Sequence, residues 1–80
     1  MSAFRPGRRP TLAGRELLFF LRGAGTWDGS VAELARRVGG RERATWYAIV
    51  GLMSRGLVTA TSTDAGVRVT LTREGRRIRL

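Results

Sequence analysis

Most of the side chains in this sequence that can act on another molecule through charge are guanidiniums. All 15 basic residues are arginine, set against six carboxylates, which leaves a net charge of +9 on 80 residues. Arginine presents a planar fork of donors that matches phosphate oxygens and the major-groove edge of guanine, so the chemistry on offer is anion recognition. Covalent chemistry is poorly provided for. With neither histidine nor cysteine, the commonest acid–base group, the thiol nucleophile and the usual zinc ligands are missing. The acids Glu16, Asp28, Glu33, Glu42, Asp64 and Glu74 are scattered along the chain. The expectation is a non-enzymatic protein with no cofactor and no metal.

A domain this small is destabilised by its own repulsion at such a charge, and a polyanionic partner relieves it. Double-stranded DNA is the first candidate. A second explanation is compositional: lysine, asparagine and glutamine are absent, as they would be where arginine codons displace lysine codons. Where the arginines stand therefore matters more than how many there are. Arg36 and Arg37 precede a Gly-Gly break, Arg41 and Arg43 follow it, Arg68 stands alone, and Arg5, Arg8 and Arg9 crowd the first ten residues.

The elements that must position these groups follow from periodicity. Residues 1–10, with Pro6, Gly7 and Pro10, have neither helical nor strand period and read as a flexible basic arm. Thr11 can cap a first helix, TLAGRELLFFLRG, ending at Gly23. Its run LLFFL (Leu17 to Leu21) is apolar on nearly every side, which suggests burial between elements or a homodimer through this helix. GAGTWDG is a glycine-rich connector with room for one short strand around Trp27. It follows a helix and lacks the GxGxxG spacing of a dinucleotide loop, so it reads as a turn.

Ser30 and Glu33 form a capping box, and Val31, Leu34, Ala35 and Val38 then fall at i, i+3, i+4 and i+7. Gly39 and Gly40 stop that helix, and another runs from about Arg41 to Arg55 with Gly56 as terminator. On its helical wheel Thr45, Ala48, Ile49, Leu52 and Met53 share one side, with Trp46 at the border. Arg43, Tyr47, Gly51 and Ser54 share the other, flanked by Ala44 and Val50. Beyond Gly56 the period becomes two. LVTATS and VRVTLT flank the turn residues TDAG, which predicts a hairpin over 57–72 with Val67, Val69 and Leu71 inward and Arg68 and Thr70 outward. Residues 76–80 read as a basic tail.

This order of elements resembles the winged helix-turn-helix family over roughly residues 11–75. The matching residues are SVAELARRVGG for the supporting helix and turn, RERATWYAIVGLMSRGLV for the second helix and its exit, and VRVTLTREG closing the wing. RVTLTREG is most similar to the wing exit of MarR-type regulators. The resemblance implies a small α+β fold of three helices plus a β-hairpin wing. It also implies a transcriptional regulator that inserts helix 41–55 into the major groove. Arg43 and Tyr47 would then point at the DNA with Arg41 at the leading end and Ala44 at the flank, and Arg36 and Arg37 are phosphate candidates. Arg5, Arg8 and Arg9 can be a mere disordered tail, but arginines on a flexible arm also enter minor grooves. Arg68 projects from the outward face of the wing, where the family's geometry puts backbone or minor-groove contacts. This wing tip is Asp64-Ala65-Gly66 rather than the Asp-x-Arg-like tip of that family, so Arg68 is a neighbour of the family's wing arginine rather than its match.

Each assignment has an alternative. Tyr47 can cover apolar surface with its hydroxyl in water, Arg36 and Arg37 can form a solvated helix face, and Trp27 and Trp46 suit a core better than base stacking. Two other function classes remain beside the regulator. One is a nucleoid architectural protein that binds DNA without sequence preference. The other is a module that contacts protein or RNA. No stretch reaches the roughly 20 apolar residues that span a bilayer, and MSAFRPGRRP lacks the apolar region of a signal peptide, so the expectation is a cytoplasmic protein with no membrane partner.

Overall fold

The computed structural model describes residues 12–78. The basic arm with Arg5, Arg8 and Arg9, and the end of the basic tail, lie outside the described residues. The elements run α1 (Leu12–Ala24), β1 (Thr26–Gly29), α2 (Val31–Val38), α3 (Glu42–Ser54), β2 (Val58–Thr63), β3 (Gly66–Leu71) and α4 (Arg73–Arg77). The architecture is α+β, with one three-stranded antiparallel sheet of order β1-β3-β2.

Local chemistry sets most of these limits. Helix α1 passes the expected stop at Gly23, because the residue that leaves helical space is Gly25, at φ 83°. The N–H of Gly25 closes the last turn on the Leu21 carbonyl at 2.6 Å. Ser30 Oγ accepts from the Glu33 N–H at 3.1 Å and so starts α2. At the other end of α2, Gly39 adopts φ 74°, and the Gly40 N–H donates to the Ala35 carbonyl at 2.8 Å. This Schellman closure needs a residue without a Cβ at Gly39.

A fourth helix, α4, spans the close of the expected wing and the start of the basic tail. Five residues cannot sustain a helix alone, so α4 is held from outside. Thr72 Oγ accepts from the Gly75 N–H at 3.1 Å and donates to the Gly56 carbonyl at 2.7 Å. From α1, the Arg22 guanidinium donates to the carbonyls of Gly75 and Ile78 at the far end of α4, where a cation is favoured. Gly75 itself lies against the Leu57 carbonyl and Leu71, with no space for a side chain.

The core lies between α1, α3 and the inner face of the sheet. Leu17, Leu18 and Leu21 meet Leu34, Ile49 and Leu52, and beneath them Val58, Val67, Val69 and Leu71. The three leucines of LLFFL are thus fully covered within one chain, and only Phe19, 73% exposed, is left outward. Two α3 residues depart from expectation. Met53 lies roughly a quarter turn from the centre of the buried face, and Trp46 lies on the same border; both are exposed rather than core.

Candidate nucleic-acid interface

The two-glycine break sets the start of α3 beside the end of α2. Arg41 takes the N-cap position of α3 in extended geometry, and its side chain makes no capping bond. The first turn of α3 therefore keeps N–H groups that an external acceptor can reach, at the positive end of the helix dipole. Arg41 and Arg43 are exposed and pair with no carboxylate among the described residues. Two unpaired guanidiniums at an uncapped helix start make a favourable place for a phosphate.

The outward face of α3 carries Arg43, Tyr47, Val50 and Ser54 at its centre, with Trp46 and Met53 along one edge. Tyr47 is 65% exposed and Trp46 is 46% exposed. An open groove of about 630 Å³ runs between the start of α2 and this face, lined by Val31, Glu42, Arg43, Trp46 and Tyr47. Few hydrogen-bonding groups project from it. Ser54 spends its hydroxyl on the Gly51 carbonyl at 2.9 Å, which leaves Arg43 and the Tyr47 hydroxyl as the donors at the centre. Ala44 is exposed but turns toward a smaller hollow that it shares with Ala13, Glu16, Val38 and the two turn glycines.

The remaining expected contacts are partly committed inside the molecule. Arg36 lies 3.6 Å from Glu33 one turn back, in a surface pair. Arg37 lies over the Trp27 ring, 5.7 Å from its centroid, and Trp27 in turn packs edge-on against Phe20 at 6.1 Å. Trp27 is thus half-buried against the core, as its alternative reading held, while Trp46 is not. Arg68 stands opposite Asp28 in the β1–β3 register. Its Nε and Nη2 both donate to one Asp28 oxygen, at 3.1 and 2.8 Å.

Sequence reasoning missed these cross-element partners. Arg37–Trp27 and Arg68–Asp28 join residues 10 and 40 positions apart, and no local period couples them. The strand register gave the only available signal, since a strand at Trp27 placed beside β3 brings an acid next to Arg68. Among the described residues no group of three or more acids is placed to hold a metal ion. No helix among them is long and apolar enough to cross a membrane. Comparison of the chain with protein-family models, with curated proteins and with solved structures finds no match.

Proposed function

We propose that this is a small winged helix-turn-helix protein that binds double-stranded DNA without enzymatic activity, as a transcriptional regulator. In this reading α3 enters the major groove, α2 braces it across the backbone, and the β2–β3 hairpin is the wing. The observation that carries it is the leading end of α3. There Arg41 and Arg43 stand exposed beside the open first turn, without a carboxylate partner among the described residues, and Arg43 lines the same groove as Tyr47. A net charge of +9 supplies the long-range attraction.

The test joins two measurements. Log affinity for duplex DNA should fall linearly with log salt, by about 0.9 for each phosphate contact. Selection from a random duplex pool should enrich one motif. A flat salt response removes the DNA reading. A steep response with no enriched motif favours the second reading, an architectural protein, to which the sparse polar face of α3 lends support. A homodimer through α1 rests on Phe19, since the leucines around it are covered.

A further inference from the structure

We propose that the outer face of α3 recognises thymine methyl groups in the major groove, with Tyr47 and Val50 as the apolar contacts and Gly51 as the point of closest approach. The proposal rests on the DNA reading above and names what that face would distinguish. Base edges in the major groove offer donors, acceptors and, on thymine alone, a methyl group. A reader rich in amides and charges suits the first two. This face offers mainly carbon: Tyr47, Val50, Trp46 and Met53 are exposed, and Ser54 is already bonded within its own helix.

Gly51 is the independent observation. It sits in the third turn of a 13-residue helix, where glycine is the poorest ordinary helix former. Nothing inside the fold requires it, because a Cβ built there meets no atom within 4 Å. Half-buried and one turn after Tyr47, it notches the edge of the outward face that lies away from Val50 and Trp46. A helix keeps such a notch at a cost in stability when another surface must come close to its backbone.

The charge around the face selects the occupant. Arg41 and Arg43 flank it at the leading end, and Glu42 is the only acid on the helix. A second copy of the chain would bring another +9 against it. The apolar part of the face is also small: on α3 only Trp46, Tyr47, Val50 and Met53 are large exposed apolar side chains. A polyanion that displays methyl groups in a groove about one helix wide satisfies both conditions.

The experiment compares duplexes made with thymine and the same duplexes made with uracil, which differ only by the methyl. The expected result is tighter binding to thymine, by about fourfold for each methyl buried. Val50→Ser should bring the thymine-to-uracil ratio close to one. Gly51→Ala should raise Tm by about 4–8 °C through helix propensity and yet weaken thymine-duplex binding by about fivefold or more. Equal affinity for the two duplexes overturns the proposal and leaves the DNA reading standing. So does unchanged binding by Gly51→Ala. If neither duplex is bound, the DNA reading falls together with the proposal.

Discussion

Arg43 and Arg68 differ only in what surrounds them, and that difference decides what each can do. Arg43 stands on the outward face of α3 with no partner among the described residues, so its donors are open to an external acceptor. Replacing it with alanine should cost on the order of 1–3 kcal/mol at a preferred site and relax specificity there, measured on one specific and one random duplex. Equal losses on both duplexes would point to backbone contact alone. Arg68 already holds Asp28 through two donors. Both members are well exposed, so the pair contributes at most about 1 kcal/mol, as a double-mutant cycle under urea unfolding should show. Its alanine variant should flatten the salt dependence by less than one full phosphate contact, because phosphate must compete with a carboxylate for Arg68. A larger effect from Arg68→Ala would make the wing the principal grip.

At the scale of an element, α3 and α4 are held by opposite means. The start of α3 lacks a capping side chain because an arginine occupies the position. Arg41→Ser supplies the missing acceptor and should stabilise the fold by about 0.5–2 kcal/mol while it weakens duplex binding. If chemical denaturation shows the gain and binding is unchanged, Arg41 takes no part in recognition. Helix α4 instead depends on the close approach of Gly75 to the Leu57 carbonyl. Gly75→Ala forces a methyl into that contact, and about 1–3 kcal/mol of stability should be lost. The loss should be accompanied by release of α4 from Arg22, visible as early hydrogen exchange over 73–77. Unaltered stability would mean that α4 is not docked in solution.

For the whole molecule the question is whether one chain suffices. The apolar run LLFFL suggested a second copy, but Leu17, Leu18 and Leu21 are all covered by α2, α3 and the sheet. Among the described large apolar side chains of α1, Phe19 is the exposed one and would be the anchor. If the chain dimerises through α1, Phe19→Ser should convert a dimer to a monomer in light scattering at tens of micromolar, with little change in Tm. A parent chain that is already monomeric under those conditions removes the dimer. Contrast between faces also belongs to this scale. The open side of α3 meets solvent with carbon and guanidinium, while the outer face of the sheet is a patchwork of threonines around the Arg68–Asp28 pair, with Thr26 and Thr70 hydroxyls 2.6 Å apart.

What the chain determined by itself were the properties encoded within one turn or one strand. Ser30 and Glu33 begin α2, Gly39 ends it, the period of two places Val67, Val69 and Leu71 inward, and the wheel of α3 separates Ile49 and Leu52 from Arg43 and Tyr47. Each depends on neighbours a few residues away, so local sterics and hydrogen bonding suffice. Three things were decided only by tertiary structure. Helix α4 exists because Arg22 and Leu57, distant in sequence, receive it. Met53 and Trp46 lie outside the core because the sheet and α1 cover only part of the α3 circumference. Arg37 and Arg68 are drawn onto Trp27 and Asp28, whereas Arg41 and Arg43 have no carboxylate partner among the described residues. Charge is written in the composition, but whether a charge is satisfied depends on what the folded chain brings within a few ångströms of it.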